Sequence, residues 1–103
     1  MIKVKYYYKD GTILDYLRWG GVVHREDGPA IEYTNGTKYW LMDNKRHRVD
    51  GPAVEWCDGT KYWFINGEPL TEEDFNNHPL VIELKFQKAL EEEFLSGWYK
   101  IPL

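Results

Sequence analysis

The sequence predicts an α+β protein: an antiparallel β-meander of three repeated hairpins, about six strands, packed with one short and one long C-terminal helix. Residues 24–40 reappear almost unchanged at residues 47–63, and repetition at a fixed period is typical of stacked supersecondary units. Each copy places Asn-Gly or Asp-Gly between β-prone apolar runs, a strong signal for a hairpin. After residue 70 the apolar residues follow the spacing of a helix instead.

The chain length of 103 residues suits a single domain over 1–103. We expect hairpin repeats over 3–69, a helical tail over 71–95 and a C-terminal extension over 96–103. Asp10-Gly11-Thr12 lies 25 residues before the corresponding Asn-Gly-Thr. A third, degenerate repeat is therefore predicted at the N-terminus.

The hairpin turns predict which residues share a face of the sheet. Reading Asn35-Gly36 as a two-residue type I′ loop places Tyr33 opposite Lys38 and Ile31 opposite Trp40. Both faces then carry aromatic side chains. We expect an open edge at residues 4–7 or 63–65, and because open edges invite pairing, we expect a homo-oligomer.

The tail predicts two helices. Thr71 followed by three acidic residues is typical of a helix start, and His78-Pro79 ends this first helix. The second is predicted from about Pro79 to Leu95, and we expect it to lie across one face of the sheet. Its apolar stripe repeats every four residues: Ile82, Phe86, Leu90 and Phe94.

Composition and charge exclude several partners. The net charge of −4 divides into −5 over residues 68–103 and +1 over residues 1–67, so the basic field that binds duplex nucleic acid is missing. No apolar run approaches the roughly 20 residues of a membrane span, and the strand-like start lacks the apolar region of a signal peptide. Cys57 is the only cysteine, which suits a reducing compartment. We expect a soluble, cytoplasmic protein that binds neither membrane nor duplex nucleic acid.

No enzyme motif emerges from the sequence. The three histidines, at positions 24, 47 and 78, do not form a compact metal-ligand spacing. There is no glycine-rich loop that would hold a phosphate, and Cys57 simply replaces the Thr34 of the other copy. We predict no catalytic residue, no metal and no cofactor.

The candidate ligand-binding residues are the basic and aromatic side chains of the repeats. They are His24, Arg25, Tyr39, Trp40, Arg46, His47, Arg48, Tyr62 and Trp63. In a functional interpretation the arginines bind phosphate and the rings stack on a base, with residues 45–48 as the first choice for phosphate.

A structural interpretation of the same residues also stands. The segment His-Arg-x-Asp-Gly-Pro is then a turn shaped by Asp, Gly and Pro. Its histidines donate to Asp27 and Asp50, and its arginines pair with Glu32 and Glu55.

The unit His-Arg-x-Asp-Gly-Pro-Ala, followed by Asn/Asp-Gly-Thr-Lys-Tyr-Trp, resembles the short β-hairpin repeats of phage and giant-virus proteins, which are similar to MORN-type repeats. The resemblance covers residues 22–69 strongly and 3–21 weakly, and leaves out the helical tail. MORN-type proteins are mainly binding and scaffolding modules, so the resemblance implies binding rather than catalysis.

These observations lead to one main hypothesis and two alternatives. The main one is a phage-encoded, non-catalytic protein that counters a host defence in the host cytoplasm, in its sharpest form an oligomeric sponge for a nucleotide-type immune signal. The first alternative is a protein–protein inhibitor or scaffold that binds a host defence protein with an aromatic sheet face or with the acidic helical residues 91–93. An enzyme acting on a nucleotide is the second, and turnover of the ligand would distinguish it.

Overall fold

The structure of the protein is a computed structural model that describes residues 1–96, with side chains described as far as Glu92. Within this part of the chain the strands are β1 (Val4–Tyr7), β2 (Ile13–Leu14), β3 (Ile31–Tyr33), β4 (Lys38–Tyr39), β5 (Leu41–Met42), β6 (Lys45–Arg46), β7 (Val54–Glu55), β8 (Lys61–Ile65) and β9 (Glu68–Leu70). The helices are α1 (Glu72–Asn76) and α2 (Pro79–Ser96). The predicted extension over 96–103 lies outside the described residues except for the backbone of Ser96, and so does the side chain of Phe94.

Seven of the strands form one antiparallel sheet in the order β2-β1-β3-β4-β7-β8-β9, and β5 and β6 form a separate two-stranded ribbon. The predicted α+β class, with an antiparallel meander and a C-terminal helix, is confirmed. The strand number is higher than the predicted six, because residues 41–46 form a ribbon of their own and β9 adds a seventh strand to the sheet. This ribbon stands between β4 and β7 in the chain but outside the sheet.

The edges of the sheet differ from the prediction. They are β2 and β9, whereas the two segments that we expected at an edge, 4–7 and 63–65, lie inside the sheet. After β2 the chain folds back, so that β3 pairs with the side of β1 that β2 leaves free. At the other end, the turn at Asn66-Gly67 pairs β9 with β8. The expectation of an oligomer therefore loses the edges on which it was based.

The Asn35-Gly36 turn is one residue longer than predicted. The Gly36 N–H donates to the Tyr33 carbonyl at 3.0 Å, and the Tyr33 N–H donates to the Thr37 carbonyl at 2.9 Å. Of the Asn-Gly pair only Gly36 has a positive φ, +98°, so this is a type I turn followed by a bulge rather than a type I′ turn. Asn35 Oδ1 favours it by accepting the Thr37 N–H at 3.0 Å.

The Asp58-Gly59 turn has the same form, with hydrogen bonds from Gly59 to Trp56 and from Trp56 to Thr60, each 2.9 Å. Two-residue loops occur instead at Asp43-Asn44 and Asn66-Gly67. Both residues of each loop have a positive φ, as a type I′ turn requires.

The longer turns shift the register by one residue. Ile31 lies opposite Tyr39 and Glu32 opposite Lys38, so the predicted pairs are wrong and each return strand is turned over. One cross-strand row, which we call the tyrosine face, consists of Leu14, Tyr6, Ile31, Tyr39, Val54 and Tyr62. The opposite row, the charged face, consists of Lys5, Glu32, Lys38, Glu55 and Lys61.

The helices pack at one end of the sheet. Phe75 of α1 and Val81 of α2 are buried against Ile65 of β8, and Thr71 Oγ1 caps α1 by accepting the Asp74 N–H at 3.0 Å. The expected position of α2 across a sheet face is wrong, because every side chain from residue 85 to residue 92 is exposed. Among the side chains described, as far as Glu92, those that anchor the helix belong to its first turns.

Candidate functional site

The Arg48 side chain is held in place by its own turn. Its Nε donates to Asp50 Oδ1 at 2.7 Å, and its Nη1 donates to the Pro52 carbonyl at 3.1 Å. The guanidinium lies over the Trp40 ring, with Cζ 3.8 Å from the ring centroid. Glu55 Oε1 lies 3.8 Å from Arg48 Nη1. With these contacts the Arg48 side chain is only 20% exposed.

Arg25 repeats this arrangement 23 residues earlier. It donates to Asp27 at 3.0 Å and to the Pro29 carbonyl at 3.2 Å, and it lies 4.0 Å from the Tyr7 ring centroid. It pairs with Glu32 at 3.3 Å, as the structural interpretation predicts. Burial lowers the pKa of Arg25, but the hydrogen bond that Arg25 donates to Asp27 and the nearby negative charges outweigh it, and the net effect raises that pKa.

Glycine is needed beside each arginine. A Cβ on Gly51 would lie 2.8 Å from Arg48 Cζ, and one on Gly28 would lie 3.1 Å from Arg25 Cζ. The His-Arg-x-Asp-Gly-Pro pattern therefore specifies a pocket for its own arginine.

The histidines of the two units hold the turns of the next hairpins. His24 Nδ1 accepts the Asp43 N–H at 2.9 Å, and His47 Nδ1 accepts the Asn66 N–H at 2.9 Å. The predicted donation to Asp27 and Asp50 is wrong, because these carboxylates are taken by the arginines. Burial lowers the pKa of His47, and the charge of His78 lowers it further, so the ring stays an acceptor at neutral pH.

The two turns border a cleft of about 680 Å³ on the charged face, which we call the turn cleft. Trp40, His47 and Arg48 line it, together with Leu84 and Lys88 of α2. Three carboxylates also line it: Glu26, Asp27 and Asp50. Because the arginines are already paired with these and neighbouring acids, the turn cleft offers an anion little unbalanced positive charge.

A second cleft, of about 530 Å³, lies on the other side of the sheet. Its lining residues are Ile31, Tyr33, Tyr39, Leu41, Asn44, Lys45, Arg46 and Gly67, and we call it the tyrosine cleft. The Tyr33 and Tyr39 rings meet edge to face, with centroids 6.1 Å apart and planes at 63°. Lys45 and Arg46 come from the β5–β6 ribbon, whose tight Asp43-Asn44 turn places them beside these rings.

The positive charges of the tyrosine cleft are not neutralised by its lining. No carboxylate lines the cleft, and neither Lys45 nor Arg46 forms an ion pair with any described residue. Both side chains are exposed. Arg46 Cζ lies 5.7 Å from the Tyr39 ring and 5.4 Å from the Phe64 ring.

Tyr33 can donate a hydrogen bond in this cleft at neutral pH. Burial raises the pKa of its phenol, and the neighbouring Tyr6 raises it further, so the hydroxyl keeps its proton. Together with two cations, the cleft can offer an anion both charge and hydrogen-bond donors.

The nine predicted residues are thus divided among four places. His24, Arg25, Trp40, His47 and Arg48 lie at the two turns, and Tyr39 and Arg46 line the tyrosine cleft. Tyr62 is on the tyrosine face and 50% exposed, and Trp63 packs on Phe75 with centroids 6.4 Å apart. Tyr33 was missed, and Lys45 was predicted only as part of the basic segment 45–48. The correct loop length would have placed Tyr33 beside Tyr39.

Other types of site find no support within residues 1–92. No three His, Cys, Asp or Glu side chains are grouped so as to hold a metal ion there. Among the described residues, no helix combines the length and the apolar character that crossing a membrane requires. Comparisons with family models, with curated proteins and with solved structures gave no match.

Proposed function

We propose that the protein is a non-catalytic binding protein whose tyrosine cleft takes a planar, anionic ligand of the nucleotide type. The observation that carries the proposal is the pairing of two tyrosine rings with Lys45 and Arg46 in a cleft without a carboxylate. Guanidinium binds phosphate through two parallel hydrogen bonds. Aromatic rings can stack on any nucleobase, because every base has a π-face.

The turn cleft is the weaker candidate for this ligand. An anion that bound Arg48 would have to replace Asp50 at 2.7 Å and the Trp40 ring at 3.8 Å. Arg46 needs no such exchange, because it has no ion pair among the described residues. The preferred site therefore keeps Tyr39 and Arg46 of the predicted set and adds Tyr33 and Lys45.

The biological setting that we propose follows from the resemblance to phage repeats. A phage protein that retains a nucleotide-type signal without converting it would counter a host defence in the host cytoplasm. An exposed thiol at Cys57 suits a reducing compartment. The paired contacts of Arg25 and Arg48, and of His24 and His47, support the proposal that the two His-Arg units are copies of one MORN-like structural unit.

Calorimetry tests the ligand proposal. The probes are cyclic mononucleotides, cyclic dinucleotides and ADP-ribose, and we expect at least one to bind with one site per chain and to be recovered intact. Arg46→Ala should weaken binding about 10- to 150-fold, because a hydrogen bond to a charged group is worth about 1.5–3 kcal/mol. Tyr39→Leu should also weaken it, by removing the stacking ring.

Lys38→Ala is the matched control, since Lys38 is an exposed cation of β4 on the charged face. It should bind as the native protein does. Absence of heat with all probes, or equal losses in Lys38→Ala and Arg46→Ala, would contradict the proposed cleft. Conversion of the probe to product would contradict the non-catalytic role.

A second candidate function, a protein–protein inhibitor, is favoured by the exposed aromatics of the β7–β8 hairpin. Trp56 is 48% and Tyr62 50% exposed. A complex with a host protein that survives Arg46→Ala but not Trp56→Ala would favour this function over ligand binding.

A further inference from the structure

The outer side of α2 carries an uncovered apolar stripe. Ile82, Phe86 and Leu90 are 51%, 63% and 49% exposed, and their spacing of four residues places them on one side of the helix. The other side holds Val81, which is 1% exposed, and the half-buried Leu84. The helix is thus apolar on two sides, which is typical of a helix buried on both.

The exposed part of α2 also has little support from the part of the chain that the structure describes. Every side chain from residue 85 to residue 92 is exposed, so these two turns gain little from packing against described residues. Isolated helices shorter than about 12–15 residues are marginal in water. Covering the stripe would stabilise this segment.

We propose that the stripe is covered by α2 of a second copy, in an antiparallel pair. Lys85 and Glu92 are seven residues apart and lie on the same flank of the stripe. Equal flanks face each other in an antiparallel pair, so Lys85 of each copy lies across from Glu92 of the other. Only the signs of these charges matter here, and Lys85 also donates to Asn76 Oδ1 of its own chain at 3.2 Å.

A parallel pair is disfavoured by the same residues. It would bring the Lys85–Glu92 flank against the opposite flank, where Glu83 and Gln87 lie. Lys85 would then face an acid, but Glu92 would face no cation. The helix macrodipoles would also repel each other, whereas an antiparallel arrangement aligns opposite ends. The antiparallel dimer therefore places both charges of this flank across from an opposite charge, and its helix dipoles also attract each other.

Sedimentation equilibrium on the full chain tests the pairing. The native protein should be a dimer, and Phe86→Glu should weaken dimerisation about thirtyfold or more, as expected for a central buried anchor. Gln87→Glu is the control: it adds the same charge one residue away, outside the stripe, and should stay dimeric. A monomeric native protein, or a Phe86→Glu variant that dimerises as well as Gln87→Glu, would overturn the proposal.

Cross-linking tests the direction of the helices. In a Cys57→Ser background, Lys85→Cys and Glu92→Cys proteins are mixed and oxidised. The antiparallel pair should give chiefly the mixed disulfide. A dimer that gives only like-with-like product, or none, contradicts the antiparallel arrangement. The proposal is independent of the ligand cleft, and a monomeric Phe86→Glu protein should bind the nucleotide probe with unchanged affinity.

Discussion

Two arginines that are two positions apart in the chain have different environments. Arg48 lies in a pocket made by its own turn, between Trp40 and the backbone of Gly51. Arg46 lies on the short β6 strand and is exposed. The difference arises because Arg46 belongs to β6, whereas Arg48 lies beyond the end of that strand. There it contacts the residues of its own turn. One arginine therefore contributes to stability and the other remains available to a ligand.

Alanine substitutions separate the two roles. Arg48→Ala should lower the free energy of unfolding by about 1–3 kcal/mol, because it removes charge-assisted hydrogen bonds and a cation–π contact. Arg46→Ala should change it by no more than about 0.5 kcal/mol, as exposed substitutions usually do. Urea denaturation of both variants measures the difference. Equal losses would show that Arg46 is also structural, which would weaken its assignment to the ligand.

At the scale of elements, two tryptophans in equivalent positions of the repeated units are covered by different groups. Arg48 covers Trp40, and Phe75 of α1 packs against Trp63, which stands 23 residues after Trp40. The chain lacks a third His-Arg pair at this point and places a helix there instead. We infer that α1 ends the array, as capping units do in repeat proteins.

The bulged turn at Asp58-Gly59 requires a residue that accepts a positive φ at position 59. Its φ is +92° and its Cβ position meets open space, so only backbone strain opposes a side chain there. Gly59→Val should destabilise by at least about 1–2 kcal/mol, because a β-branched residue resists positive φ. Gly59→Asn is the matched control and should cost less, since Asn tolerates this conformation. Thermal unfolding of both variants measures it, and equal losses would point to a steric cause instead.

For the whole molecule, stability is predicted to depend on the protonation of His47. Its pKa in the folded protein is lowered by burial and then by His78. As the pH falls, His47 of the unfolded chain is therefore protonated at a higher pH than His47 of the folded protein. Stability should therefore be complete above pH 6.5, the ordinary histidine value, and should fall as the pH drops below it. Protonation would also remove the Nδ1 acceptor of the Asn66 N–H.

Unfolding free energies measured between pH 7.5 and 5 check this dependence. Carboxylates contribute at lower pH: hydrogen bonds from Thr12 and Arg18 lower the pKa of Asp10 to about 2, and its contribution is lost only as the pH falls below the ordinary value of 3.8. His47→Gln should reduce the slope in the histidine range. An unchanged slope in that variant would assign the effect to another group.

Local signals alone determined the class of the protein. Asn-Gly and Asp-Gly mark the turns because few residue pairs accept a positive φ, and the spacing of apolar residues separates strands from helix. The sequence also placed Tyr39 and Arg46 among the candidate residues. These features depend on neighbours within a few positions, which is why they can be predicted without a structure.

The tertiary structure decided which residues meet. A two-residue and a three-residue loop both use glycine at a positive φ, and the choice shifted the register by one residue and brought Tyr33 to Tyr39. The return of β3 to β1 removed the predicted edges, and the anchoring of α2 by Val81 left Phe86 exposed. Each outcome depends on contacts between distant segments, whose energies differ little from those of the alternatives until the whole sheet has formed.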